Sequence, residues 1–379
     1  MVLKGVQLSV MIGPVVPIPV SHDVLDALES ATVTVKDVGT SGFELEFRIG
    51  KRSPLQTLFL LTGGQPILFM RVVLVAVLGG QPEVLIDGVI TNHQIVPGAE
   101  GRSGTLKLMG EDLTALMNLI DFSGLPFPAC PAEARVLLLL AKYAVLGIVP
   151  VVIPSVLIDV PIPTGRIPGQ QGTDLNYIRG LADDVGYVFY LEPGPLPGMS
   201  VAYWGPQIKI GIPQPALNVD MDAYTNVEQL SFSFNNQQNE IPIVYHYEEL
   251  SGLPIPIPIP PITPLSPPLG LIPPIPVRLS QVPLSDDLSK RSIPQAVMIG
   301  LAKAAQAAES VTGRGSLDVL RYGRVLKARQ LVGVRGAGDA FDGLHYVKSV
   351  THQIKRGQFK QQFELSRNGL LSISPRVPA

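Results

Sequence analysis

A chain of 379 residues is long enough for two or three domains with their own cores, at roughly 100–200 residues per domain. Twenty-nine basic against thirty-one acidic residues give a formal charge of −2, which excludes a general electrostatic drive toward nucleic acid or anionic lipid, and Cys130 as the only cysteine excludes an intrachain disulfide. Charged residues are only 16% of the chain and the mean hydropathy is positive, so an unusual share of the surface is expected to be apolar or covered by partner subunits.

Gly5–Ser21, behind Lys4, imitates the apolar region of a signal peptide, but Pro14, Pro17 and Pro19 interrupt it and no small-x-small cleavage site follows. A cytosolic, reducing place of synthesis fits best. Strands are predicted next, because Phe43, Leu45, Phe47 and Ile49 alternate with Glu44, Glu46 and Arg48. Similar runs occur at Thr32–Val38, Arg71–Leu78, Val84–Val96 and Thr105–Met109, separated by turn signals at Gly79-Gly80-Gln81-Pro82 and Gly98–Gly104. Short strands at this spacing imply a barrel or sandwich.

The middle of the chain changes period, with helices predicted over Ala132–Leu146 and Thr173–Val185. In the second, Leu175, Ile178, Leu181, Ala182 and Val185 line one face, Thr173 is a natural N-cap and Asp174 suits the positive end of the dipole. Tyr143–Ile158 is apolar, yet Pro150 and Pro154 break it and it is too short to span a bilayer, so a loop or edge strand is expected rather than membrane insertion. Gly186 ends the second helix, and Tyr187–Leu191 reads as a strand entering a hairpin at Glu192-Pro193-Gly194.

Leu253–Val277 carries eleven prolines and no charge. The composition argues against a regular helix or central strand and predicts polyproline II geometry, in a segment far too apolar for an ordinary linker. Its Ile255, Ile257, Ile259, Leu265, Leu269, Leu271, Ile272 and Ile275 are the candidate partner interface, with the insert ordered against another subunit. A helix is predicted over Pro294–Glu309. Strands then return, with Phe359, Gln361, Phe363 and Leu365 alternating behind a turn at Lys355-Arg356-Gly357.

Three stretches, in this order and spacing, carry a resemblance. VLIDGVITNHQIVPGAEGRSGTLKLMGEDLTALMNLID (Val84–Asp121) contains a strand, a Gly-Glu-Asp-Leu turn and a helix. TDLNYIRGLADDVGYVFYLE (Thr173–Glu192) is a threonine-aspartate-led helix running into glycine, tyrosine and a strand. GDAFDGLHYVKSVTHQIKRGQFKQQFELSRN ends in arginine-asparagine within Gly323–Asn368. Together they resemble the phage late-control protein D and the hub portion of valine-glycine-repeat spike proteins, over nearly the whole chain. The sequence departs from that family in the proline-rich insert and in ending at Ala379 without a needle-like β extension, which implies a separate spike polypeptide.

The fold expected is α+β and mainly β: two barrel-like β domains joined by a helix-containing connector, assembled as a trimeric ring. The divisions are 1–130 for the first barrel-like domain, 131–250 for the connector with β hairpins, 251–279 for the insert, and 280–379 for a helix plus the second barrel-like domain. The resemblance implies a homotrimeric baseplate hub that links a sixfold tail tube to a threefold spike in a contractile phage tail or injection particle. Its partners would be the spike protein, the tail tube protein and other baseplate components, with assembly in the bacterial cytoplasm. The competing reading is a particle-borne or secreted β-rich hydrolase.

No catalytic, cofactor or metal residue is assigned. His345 and His352 are the only close histidine pair, and an odd separation of seven on a continuous strand puts them on opposite faces. Asp183-Asp184 and Glu248-Glu249 read as a solvated helix face and a strand end, since glycosidase carboxylates are set by spatial separation rather than adjacency. Gly336-Ala337-Gly338-Asp339 followed by Asp342-Gly343 reads as a hairpin turn with too few oxygen ligands for calcium. Trp204 fits two places equally, an interface anchor or a core aromatic at a strand end.

Overall fold

A computed structural model describes residues 2–3, 5–50, 70–98, 103–155, 167–235, 240–247, 254–258, 267–272, 278–281, 300–301, 304, 309–374 and 377; at 2–3, 240–247, 254–258 and 278–281 it is the backbone that is described. The chain begins with β1 (Val2–Leu3), β2 (Val6–Gly13) and β3 (Ile18–Pro19). The short helix α1 (His22–Ala27) leads into β4 (Leu28–Lys36), β5 (Gly42–Ile49), β6 (Arg71–Leu78), β7 (Gln81–Val96) and β8 (Gly104–Asp112). The signal-like apolar run at the start thus holds β2, paired along its length with β6, and β3, paired back on β2. Gly79 and Gly80 both take positive φ, which lets β6 reverse into β7 through a two-residue turn.

The connector holds α2 (Thr114–Met117), α3 (Ala132–Ala141), a 3₁₀ turn at Ala144–Leu146, β9 (Ile148–Val152), α4 (Asp174–Asp183), β10 (Val188–Pro193) and β11 (Ser200–Gly205). The Thr173 hydroxyl oxygen caps α4 by accepting from the Asn176 N–H at 3.3 Å, and Leu175, Ile178, Leu181, Ala182 and Val185 are all buried. β9 is the parallel edge strand of a three-stranded sheet with β11 and β10. This settles the Tyr143–Ile158 run as 3₁₀ turn and edge strand as far as Ser155, beyond which it lies outside the described residues.

The rest comprises β12 (Gln214–Asn218), β13 (Val227–Phe234), β14 (Glu240–Tyr247), β15 (Pro254–Pro258), β16 (Gly270–Ile272), β17 (Arg278–Gln281) and β18 (Val311–Asp318). After α5 (Val319–Tyr322) come β19 (Leu331–Arg335), β20 (Gly343–Lys355), β21 (Gln358–Arg367) and β22 (Leu370–Ser372). Helical backbone is described at residues 300, 301 and 304; the remainder of the helix predicted over Pro294–Glu309 lies outside the described residues, except Glu309, which is coil. Two strands inside or bordering the insert correct the polyproline II expectation. β15 pairs antiparallel with β14, and β16 with β22. Prolines at every second position leave the intervening N–H groups free to form a ladder on one side, so the segment is admissible as an edge strand.

The fold is mainly β, and the first and last β segments meet in one fourteen-stranded sheet. Its order is β1-β2-β6-β7-β8-β5-β4-β20-β21-β18-β13, with β3 on β2 and β12-β19 joined to β20. β20 makes the junction: residues 343–346 pair with β19, residues 349–355 pair with β4, and the change of partner falls at a bulge between Val347 and Ser349. The Asp37 N–H donates to the Lys348 carbonyl at 2.7 Å inside that bulge. One hydrophobic core runs through both segments, from Val10, Leu45, Val72 and Leu106 to Val332, Val350, Phe363 and Leu365. The connector has its own core of Leu113, Met117, Val136, Leu140, Ile178, Phe189 and Trp204, touching the large sheet through Val89 of β7.

Candidate functional site

The motif residues that carried the resemblance are buried polar pins. Asp112, of the Gly-Glu-Asp-Leu turn, accepts from the Ser41 N–H at 2.7 Å, the Thr114 N–H at 3.0 Å and the Thr114 hydroxyl at 2.5 Å, fixing the end of β8 against the β4–β5 turn. Burial pushes its carboxyl upward, against these bonds. Asp174, fully buried, accepts from Lys142 Nζ at 3.0 Å, the Tyr143 hydroxyl at 2.8 Å and Gln170 Nε2 at 2.7 Å, tying α4 to the end of α3. A third pin sits where β4, the connector and β20 meet. There the Glu309 carboxylate receives both Lys209 Nζ and Lys348 Nζ, the latter at 2.8 Å. Burial pushes Glu309 up, but the two ammonium groups outweigh it and hold the carboxyl below its ordinary range.

The anticipated interface residues divide. Trp204 is fully buried in the connector core, its indole N–H donating to the Ile178 carbonyl at 3.3 Å and its ring edge-on to Tyr187 at 5.0 Å. It is a core aromatic and offers no surface to a partner. Ile255 and Ile257 lie on the backbone of β15, while Ile259, Leu265 and Ile275 lie outside the described residues. Leu269 is half-buried, and Leu271 and Ile272 are 62% and 51% exposed beside exposed Leu371 and Ile373. The sequence reading missed a second exposed apolar set, Leu137 and Leu138 of α3 with Val145, Val149 and Val151 at the β9 edge. A leucine run too long for one helical face was its only signal.

The closing Arg367-Asn368 pair seats Leu269 and Gly270 of the insert. Arg367 is 1% exposed and donates from Nε to the Gly369 carbonyl at 2.7 Å, from Nη1 to the Asp342 carbonyl at 2.9 Å, and from Nη2 to the Ala340 carbonyl. Asn368 Oδ1 accepts from the Leu269 N–H at 2.7 Å and the Gly270 N–H at 3.3 Å. Gly270 and Gly369 cross so closely that a Cβ on either would meet backbone of the other strand at 2.5 Å. Replacing Asn368 by alanine strands two amides, and about 1.4 kcal/mol lost there raises local opening about tenfold. Thermolysin should therefore cut within 267–272 about ten times faster in Asn368→Ala than in the wild type. Equal rates would remove Asn368 from this role.

Two joined clefts run between the β6–β7 hairpin and the 323–330 loop. One of about 640 Å³ is lined by Gln81, Glu83, Gln214, Arg324 and Lys327; the other, of about 340 Å³, reaches Glu192 and His352. Lys327 and Glu83 pair across them at 2.6 Å. His352 Nδ1 accepts from Gln361 Nε2 at 3.1 Å, and no carboxylate or hydroxyl bonds to its ring among the described residues. The bulge in β20 overturns the opposite-face expectation: by inserting one residue between them it restores parity, and His345 and His352 are both buried. Among the described residues no group of three or more His, Cys, Asp or Glu is placed to hold a metal, and no helix is long and apolar enough to cross a membrane. The 336–343 stretch is the β19–β20 turn, closed by the Ala337 N–H donating to Asp342 Oδ1 at 2.7 Å.

No family model matches the sequence, and no curated protein matches it. Solved structures match the fold. The tail protein from Neisseria meningitidis is 14% identical, with TM-score 0.62 over 97% of this chain and 98% of that one. The 43 kDa tail protein of prophage MuSo2 from Shewanella oneidensis is 13% identical, with TM-score 0.57 over 95% and 98%. A chain of the Francisella PdpA–VgrG complex is 10% identical, with TM-score 0.61 over all of this chain and 54% of that one. The chain has the fold of these two tail proteins and of that chain of the PdpA–VgrG complex.

Proposed function

We propose that this chain is a structural, non-enzymatic baseplate hub. It forms a homotrimer that joins a sixfold tail tube to a threefold spike in a contractile phage tail or injection particle. The observation that carries the reading is the end-to-end likeness of fold to a tail protein, 97% of this chain on 98% of the other. The Francisella likeness supports a spike partner, and the exposed apolar sets on the connector and at Leu271, Ile272, Leu371 and Ile373 supply surface for the spike, the tube or other baseplate components. In this reading residues 1–130 and 280–379 are two similar barrel units per chain. Three chains then present six comparable positions to the tube, while 131–250 and the 251–279 insert face other partners. Assembly takes place in the bacterial cytoplasm before the particle is released.

Light scattering on the protein co-expressed with the spike and tube proteins of its own gene cluster tests this. A complex containing three copies of the chain is expected, blank on peptidoglycan zymograms. A stable monomer that ignores both partners would sink the proposal, as would hydrolysis of peptidoglycan by the purified chain.

A further inference from the structure

The proline-rich insert opens on a strand whose two sides are chemically different. β15 reads Pro-Ile-Pro-Ile-Pro, and its register sets Ile257 opposite Val244 and Ile255 opposite His246, while Pro254, Pro256 and Pro258 fall opposite Tyr247, Tyr245 and Ile243. Only the two isoleucines own an N–H, so the ladder to β14 runs through them. In an antiparallel pair the N–H and C=O of one residue point to the same side and those of the next residue to the other. All three prolines therefore turn their backbone to the outer edge, where each offers a carbonyl and no donor.

The neighbouring strands obey the same parity. β14 lies between β15 and β17, and its residues Ile241 and Ile243 have the parity that faces β17, with which residues 240–243 pair in parallel. Pro242 has the parity of the β15 side but sits one residue beyond the paired stretch, so its missing donor breaks no bond. β15 carries no further strand on its outer side among the described residues. An apolar edge without charge is a template for strand addition, and Leu253–Val277 has no lysine or other charge to blunt it. β13, at one edge of the large sheet, contains no proline.

We propose that the Pro-Ile-Pro-Ile-Pro strand is a donor-free cap that closes this sheet edge to strand addition, so that a second copy of the chain cannot extend the β14 sheet. A docking strand could donate to the outer carbonyls but would receive nothing back, losing half of the ladder and leaving its own acceptors unpaired. The alternation of proline and isoleucine thus protects an uncharged strand from its own kind.

The test compares the full chain with Pro254→Thr/Pro256→Thr/Pro258→Thr, which returns three donors to the edge, and with Pro267→Thr/Pro268→Thr, which changes proline content away from it. Size-exclusion chromatography with light scattering is run over one concentration series for all three. The edge variant is expected to show about a doubling or more of weight-average mass relative to the wild type, with the second variant unchanged. Equal mass for the edge variant and wild type overturns the proposal, as does equal association of both variants. If circular dichroism shows the triple variant unfolded, Pro256→Thr alone restores one donor at the strand centre. It too must associate more than the wild type, and no change would count against the cap.

Discussion

Breaking the Arg71–Asp87 pair is expected to cost about 3–5 kcal/mol, roughly a fifth or more of the stability of an ordinary domain. Both residues are 3% exposed, and the guanidinium grips the carboxylate with two bonds, Nε to Oδ1 at 2.7 Å and Nη2 to Oδ2 at 2.6 Å. The remaining donors reach out of the sheet, Nη1 to the Val15 carbonyl at 3.2 Å and Nη2 to the Gly198 carbonyl at 2.9 Å. One side chain thus links β6 and β7 to the β2–β3 loop and to the β10–β11 hairpin of the connector.

Burial pushes the Asp87 carboxyl up while Arg71 and the Ser200 hydroxyl oppose the rise, so removing the arginine leaves a carboxyl that must take a proton or remain charged without a partner. Arg71→Met should lower the urea midpoint sharply and speed hydrogen exchange in residues 194–199. The double variant Arg71→Met/Asp87→Leu should regain most of the loss, because an apolar pair of similar volume has no desolvation penalty. A single variant within about 1 kcal/mol of the wild type would mean that the pair is not holding the two cores together.

Much of the fold was legible because its signals are local. The alternation at Phe43–Ile49 and Phe359–Leu365 gave β5 and β21, and the threonine-aspartate start gave α4 with its cap. The β4–β20 pairing was not, since Lys36 and Ser349 meet across more than three hundred residues with nothing in either strand to name the other. The insert misled because proline rules were applied to the whole segment, when alternate prolines forbid pairing on only one side of a strand. Trp204 was undecided for a similar reason: an aromatic at a strand end suits a core and an interface alike until the helix that covers it, α4, is in place. The exposed connector leucines were not legible because the helix predicted over Ala132–Leu146 is apolar nearly all round and marks no buried face.

The β20 bulge was equally invisible, and it puts two histidines on one face of the strand, both buried. His345 is fully buried, with Nδ1 3.3 Å from the Gly343 carbonyl, its ring 5.2 Å from Phe232, and no partner for Nε2 among the described residues. Burial first, and the Arg367 charge second, push its pKa down to about 3. His352 is pushed down to about 4 by burial, with Gln361 at Nδ1 and Phe359 against the ring. Both pKa values are lower folded than unfolded, where histidine titrates near its ordinary 6.5. Below that pH the unfolded chain binds protons that the folded chain refuses, so stability falls as pH falls, by up to about 1.4 kcal/mol per pH unit for each histidine, down to the folded values. Asp37, Asp87 and Asp112, raised by burial, work the other way. Each favours the folded state below its raised pKa and offsets part of the loss. Urea midpoints measured from pH 7 to pH 5 should drop steeply in the wild type and much less in His345→Leu/His352→Gln, in which neither site can charge. An unchanged slope in that double variant would show that the two histidines do not govern acid unfolding.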